Sequence, residues 1–272
     1  MNDILILGAT GKTGRRVTRR LHERNLPVRA ASRSSAVRFD WTDPDTWEPA
    51  THGVGAVYLV APDDPAPIRP FVEGAKGVER FVVLSGRGMD HVQSGFGEGM
   101  AEAERAVQDS GATWTILRAN NFAQNFNEDL WHAPVRAGRL ALPTGGVPEP
   151  FVDVEDIADV AVAALTEDGH AERIYDLSGP EALSWDRAVE IIARAAGRPI
   201  EFAELTPAEY QAELRADGLP PEFAGALGVL FEVMRTGALA EVADGVERAL
   251  GRPAAPFHEY VARVAPTGAW SR

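Results

Sequence analysis

The stretch that most constrains this chain stands near its start. An apolar run, ILIL at 4–7, is followed by GATGKTG and then by a helix-like RRVTRRLHER. Gly8, Gly11 and Gly14 therefore fall where a strand turns into a helix. Such a junction needs glycine three times: for a tight turn, for close approach of backbone to a pyrophosphate, and for close packing of helix on sheet. The new helix then offers its unpaired N–H groups to the phosphates. Glycines at this spacing also end strands for purely structural reasons, so the position between strand and helix is what marks a nucleotide loop.

The first half repeats that rhythm. Further strands are expected at 27–32, 56–61, 80–85 and 113–118, and helices at 12–24, 66–77 and 97–110. Strands alternating with helices imply βαβ units and a parallel sheet covered on both faces, an α/β fold. Its binding crevice should lie at the C-terminal ends of the strands. From Asn120 onward helical patterns dominate, at 122–132, 154–167, 184–197, 206–216 and 221–236, with short strands at 150–153 and 173–177. We expect a nucleotide-binding domain over 1–150 and a helix-rich substrate lobe over 151–272, with 151–180 returning strand and helix to the first domain. LPTGGVPEP (142–150) reads as a loop inside the fold.

Composition removes several functions. A formal net charge of -13 argues against a broad basic surface for nucleic acid or anionic membrane. Cysteine is absent and the six histidines never fall at ligand spacing, so no metal site is expected. No apolar run approaches membrane-spanning length. Met1-Asn2-Asp3 passes straight into a strand without a basic leader, which makes the cytoplasm the default location. Nothing in the pattern fixes an oligomeric state.

The end of the second strand chooses the cofactor. An acidic residue there would hold a free ribose hydroxyl, but this chain has Ser32-Arg33-Ser34-Ser35. Arginine binds phosphate with two prongs, so NADP(H) is the expected cofactor, and Lys12 in the glycine loop adds a second positive charge. Arginines 15, 16, 19, 20 and 24 read as the exposed face of their helix, with Val17 and Leu21 on the buried side.

Taken in order, GATGKTGRRV, RFDWTDPDTW, GAVYLVAP, GVERFVVLSG, ATWTILRANNFAQNF, PFVDVEDIADVAVAAL and ERIYDLSGPEALSW resemble the atypical short-chain dehydrogenase/reductases of the NmrA-like group. That group includes quinone and azo-dye reductases, festuclavine-synthase-like enzymes and polyketide ketoreductases. The resemblance covers nearly the whole chain. It implies an extended Rossmann fold that binds NADP(H), with a smaller C-terminal substrate lobe.

Carried over by position, Gly8, Thr10, Gly11, Lys12, Thr13 and Gly14 match the phosphate loop. Arg33 matches the 2′-phosphate contact, and Asp40-Trp41 the segment beside the adenine. Val60, Ala61 and Pro62 match the turn beneath the ribose. Asn120, Asn121 and Phe122 match the segment near the nicotinamide, where Ser85 would polarise a carbonyl and Asn121 would help orient it.

The resemblance also shows what is missing. Relatives place a catalytic tyrosine and lysine where this chain has Phe96 and Met100. The four tyrosines (58, 175, 210, 260) and two lysines (12, 76) form no Tyr-x-x-x-Lys anywhere. His91, in the loop before that helix, is the candidate substitute proton donor. Phe96, Met100, Phe122, Trp131, Phe223, Leu227 and Phe231 are the candidate lining of an apolar pocket for an aromatic small molecule; Phe122, Trp131, Phe223, Leu227 and Phe231, like Phe126, read as readily as core. The expected activity is NADPH-dependent reduction of a carbonyl on a polycyclic aromatic compound, with the substrate assisting its own protonation. A non-catalytic nucleotide-binding regulator, or an imine or ene reductase, remains the alternative.

Overall fold

The computed structural model describes residues 2–88 and 97–271, apart from the side chains of 222 and 223. Its elements, in chain order, are β1 (Asp3–Leu7), α1 (Lys12–Glu23), β2 (Val28–Ser32), β3 (Val37–Arg38), α2 (Trp47–Thr51), β4 (Val54–Val60), α3 (Ile68–Gly74) and β5 (Arg80–Gly86). They continue as α4 (Glu98–Asp109), β6 (Thr113–Ala119), α5 (Asn125–Glu128), α6 (His132–Ala137), β7 (Arg139–Leu142), α7 (Val154–Thr166) and β8 (Arg173–Leu177). The last are α8 (Trp185–Ala196), β9 (Glu201–Glu204), α9 (Pro207–Ala216), α10 (Pro221–Arg235), α11 (Gly245–Leu250) and α12 (Phe257–Val264).

Seven strands form one parallel sheet in the order β3-β2-β1-β4-β5-β6-β8. The order reverses between β1 and β4, and a ligand crevice is expected outside the strand ends at such a point. The central strands are apolar along both faces because both are covered. Ile4, Ile6, Tyr58 and Val82 pack under α1 and α7, while Leu5, Leu7, Val57 and Val83 pack with residues of α3 and α4. This is the Rossmann-type α/β fold read from the sequence.

The arginines of α1 differ from their expected role. Arg16 and Arg20 are mostly buried and form a ladder with acidic residues across the helix pair. Arg16 bonds Glu128 at 2.7 Å and Glu155 at 2.6 Å, and Arg20 bonds Glu155 at 2.7 Å and also Asp159. The apolar stripe of α1 rests on the sheet, so its flank meets α7, whose own flank carries the carboxylates. Burial alone would raise the Glu155 carboxyl, but Arg16 and Arg20 outweigh it and hold it down at about 2.

Three further differences concern the second half. Residues 150–153 make no strand; Val152 forms a single bridge to Phe122. The expected helix at 122–132 breaks into a turn and the short α5, with α6 beyond it. A separate two-stranded parallel sheet, β7 with β9, was not expected. The aromatic core of the lobe draws on Phe126, Trp131 and Leu140, so it begins before residue 151. The chain later returns through α11: a Cβ on Gly245 would lie 2.2 Å from the Asp176 carbonyl, and Val246 packs into the core beneath α7.

Candidate active site

The glycine loop builds one end of a cleft of about 690 Å³. Gly8 turns the chain at φ +65°, a conformation costly for any residue with a Cβ. The Gly11 N–H closes the turn on the Gly8 carbonyl at 2.8 Å. At Gly14 a Cβ would sit 2.2 Å from that same carbonyl, so only glycine lets α1 lie this close to the turn. The first turn of α1 has no side-chain cap and no acidic residue, which leaves its N–H groups for an anion. A dinucleotide pyrophosphate fits that cradle.

Along the cleft wall, Arg33 follows β2 with its side chain exposed, while Ser32 and Ser35 tie the turn together through their hydroxyls at 2.6 Å. Asp40 lines the same end. Its carboxylate accepts the Thr42 N–H at 3.0 Å and the Thr42 hydroxyl at 2.8 Å, bonds that hold it below the usual carboxylate range, helped by Arg38 and Arg33. Val60, Ala61 and Pro62, after β4, form the floor, and α4 presses on them: a Cβ at Gly99 would lie 1.8 Å from the Pro62 carbonyl. Thr10, Lys12 and Thr13 line the cleft beside the glycines. The Lys12 ammonium meets Asn125 at 2.6 Å and Asp129 at 2.5 Å, and lies 5.3 Å above the Phe122 ring. It ties the glycine loop to the segment after β6.

Leu84 and Phe122 close the opposite end. Here the side chains depart from several expectations. Ser85 is buried on the α4 side of the sheet, and its hydroxyl donates to Glu104 at 2.6 Å; Glu104 in turn takes two bonds from Arg118. The period-2 alternation of β5 puts Leu84 toward the cleft and Ser85 away from it. Ser85 is thus neither a cofactor contact nor a free donor for an acceptor oxygen. Asn120 is also turned inward: its amide donates to Glu149 at 2.9 Å and to the Leu239 carbonyl at 3.0 Å, and Arg87 donates to its oxygen at 3.1 Å. Asn121 and Phe122 are half-buried beside it, with the Asn121 amide 3.5 Å from the Met234 sulfur.

The proposed apolar lining also divides. Met100 is half-buried on α4, and Phe122 lines the cleft. Trp131 and Phe231 are lobe core: the Trp131 ring lies 4.8 Å from that of Trp185, and the Phe231 ring 5.2 Å from that of Tyr210. Phe126 is core as well. Trp131 and Leu227 border a different cleft of about 670 Å³, between α6, β7, α9 and α10, whose lining shares no residue with the nucleotide cleft. Helical aromatics at core spacing turned toward one another because each buries more apolar area that way. His91 and Phe96, and the side chain of Phe223, lie outside the described residues.

Sequence reasoning missed Glu149 and Arg87. Glu149 is 1% exposed at the strand ends, and burial pushes its carboxyl up to about 7 against the bonds from Asn120 and Asn121 and the nearby Arg87. The signal available was an acidic residue in an otherwise apolar exit from the loop, VPEPFV.

Residues 8–168 match the family described as NAD(P)H-binding. The chain belongs to that family. Within it the chain stands with the NmrA-like atypical short-chain dehydrogenase/reductases, a group of NAD(P)H-dependent oxidoreductases. It is 36% identical to a (4-alkanoyl-5-oxo-2,5-dihydrofuran-3-yl)methyl phosphate reductase of Streptomyces griseus subsp. griseus, over 95% of this chain and 96% of that one. It is 33% identical to an NAD(P)H azoreductase of Xenophilus azovorans, over 94% and 96%. An NADPH-dependent quinone oxidoreductase of Escherichia coli, solved with NADPH, shares the fold at a TM-score of 0.82 with 22% identity, covering 96% of this chain and 99% of that one. No helix among the described residues is long and apolar enough to cross a membrane.

Proposed function

We propose that the protein is an NADPH-dependent reductase of flat, conjugated acceptors, such as quinones or polycyclic aryl ketones, that spread or neutralise the incoming charge themselves. The observation that carries this reading is the fate of the phenols. Tyr58, Tyr175, Tyr210 and Tyr260 are all buried, and none lines the nucleotide cleft. The Tyr175 hydroxyl meets His170 and that of Tyr260 meets Asn127. With Ser85 tied to Glu104 as well, no tyrosine or serine hydroxyl of the usual kind is available among the described residues to protonate an alkoxide.

Bound NADPH supplies the hydride. The chain's part is orientation: the glycine loop holds the pyrophosphate and Arg33 the 2′-phosphate, and Leu84 and Phe122 present an apolar wall where the acceptor would lie flat. To Asn121, half-buried next to Phe122, we assign the orientation of an acceptor oxygen. Losing a positioned general acid costs about 10²–10⁴ in rate, so the acceptor must relieve its own charge. Conjugation does this in a quinone, and an adjacent phenol does it in an aryl ketone. The furanone phosphate reductase and the azoreductase are named for acceptors that are likewise conjugated.

The test is a matched pair of polycyclic aryl ketones, one with a hydroxyl next to the carbonyl and one with it methylated, followed by NADPH absorbance. Methylation should cut kcat by about 10²-fold or more and leave NADPH affinity unchanged. Equal turnover of both would show that the protein supplies the proton. No turnover of these ketones or of a quinone panel would reject the reductase reading.

A further inference from the structure

The exit of the Pro/Gly loop runs beside the residues that follow β6. Val152 bridges Phe122, and Glu149 pairs through its backbone with Leu183. The Glu149 carboxyl therefore sits at the C-terminal ends of the strands, one residue's width from the Phe122 end of the cleft. Asn120 donates to it at 2.9 Å, the Asn121 backbone N–H donates at 3.2 Å, and the Asn121 side chain bonds it too. Arg87, in the turn after β5, faces it through Asn120. The other described groups around it, Asn120 and Asn121 after β6, Met234 on α10 and the Leu239 carbonyl beyond, do not ionise near neutrality. No step of the proposed reaction uses this acid.

We propose that the protonation state of Glu149, acting through Asn120 and Asn121, sets which redox form of the nucleotide the site prefers, and so the direction in which hydride moves. The inference rests on the nucleotide reading above. With phosphates on α1 and Arg33, the nicotinamide half must reach the Leu84–Phe122 end. The nicotinamide ring is cationic when oxidised and neutral when reduced. A carboxylate buried beside the Phe122 end attracts the cation, whereas the neutral acid does not distinguish the two forms. Since burial places the Glu149 carboxyl at about 7, its charge changes within the ordinary range of pH. Below that point the acid is neutral and the preference for NADP+ is lost. Above it, the anion favours NADP+ and opposes the negative charge that develops on an acceptor as hydride arrives. Glu149 is a positioning residue in this scheme, since its link to the site passes through Asn121, the chain neighbour of the cleft residue Phe122.

The experiment is equilibrium binding of NADP+ and NADPH to the whole protein from about pH 6 to about pH 8. The ratio Kd(NADP+)/Kd(NADPH) cancels the titration of the 2′-phosphate, which both forms carry. In the wild type the ratio should fall about five- to tenfold as the pH rises, the low end of ordinary coupling between sites. Glu149→Gln should make it flat, whereas a merely structural role would lower Tm and leave the slope in place. Arg87→Gln removes the facing cation, so the midpoint should move to higher pH. That second variant decides the matter if Glu149→Gln does not fold. A flat ratio in the wild type, an unchanged slope in Glu149→Gln, or an unmoved midpoint in Arg87→Gln overturns the proposal. If both nucleotides bind with a flat ratio, the proposal alone fails; if neither binds, it fails together with the reductase reading.

Discussion

In the nucleotide half the glycine-loop end of the cleft is shaped by backbone, whereas the lobe is shaped by side chains. Gly8, Gly11 and Gly14 expose a turn and a helix N-terminus: Gly8 through its positive φ, Gly11 through a tight approach of 3.2 Å to the Gly8 carbonyl, and Gly14 through a contact of 2.2 Å that excludes any Cβ. In the lobe, Phe126, Trp131, Phe151, Trp185 and Phe257 pack on one another with ring centroids 4.8 to 6.2 Å apart in most pairs. The first region is a site before it is a core. The second is a core first, and what it offers a substrate is decided by which rings are left over. A motif that works through backbone tolerates little variation, so it can be read directly. A cluster of aromatics can fill space in many equivalent ways.

The comparison breaks most visibly in the lobe. Trp185→Ala removes the ring at the centre of the aromatic cluster and should cost about 3–5 kcal/mol of stability by urea unfolding. NADPH affinity below the transition should stay as it was. A parallel fall in affinity would mean that the two regions form a single energetic unit.

The nucleotide half has its own counterpart. Arg33→Ala should weaken NADPH by about ten- to hundredfold, since bonds to a charged group are worth about 1.5–3 kcal/mol, with little effect on NADH. Calorimetric titration with each nucleotide measures this. Equal wild-type affinity for the two would remove Arg33 from the 2′-phosphate.

The seam between α1 and α7 should respond to acid. The Glu155 carboxyl is held down at about 2 in the folded protein, below its ordinary 4.5. A depressed carboxyl stabilises the fold above its unfolded value, and that stability is lost as the pH falls from about 4.5 toward 2. Glu155→Gln should therefore cost about 1–2 kcal/mol at neutral pH, and the gap to wild type should narrow by about pH 3 and close only as the pH reaches about 2. An equal gap at both pH values would place the effect in packing instead of charge.

The smallest effect is expected at Ser85. Because its hydroxyl is spent on Glu104, Ser85→Ala should cost about 1 kcal/mol of stability and leave kcat for a quinone unchanged. A clear fall in kcat would return Ser85 to the acceptor side.

The sequence alone determined the parallel sheet, the glycine loop, the Arg33 turn and the absence of a Tyr-x-x-x-Lys pair. Each depends on local pattern: alternation of strand and helix, Cβ exclusion at a turn, or the mere presence of a residue type. Tertiary structure decided the rest. Whether Ser85 or Leu84 faces the cleft is a matter of one residue of strand register, which inverts every side chain when it slips. Whether the α1 arginines are solvated depends on α7, more than a hundred residues away in the chain, which brings Glu155 and Asp159 against them. Trp131 and Phe231 joined the core because the lobe folds around them from both sides. Glu149 became a buried acid because the loop that carries it is pinned between Leu183 and the strand exit. The local pattern marks it only as an acid in the apolar run VPEPFV, since burial is a property of what packs around a residue and not of the residue itself.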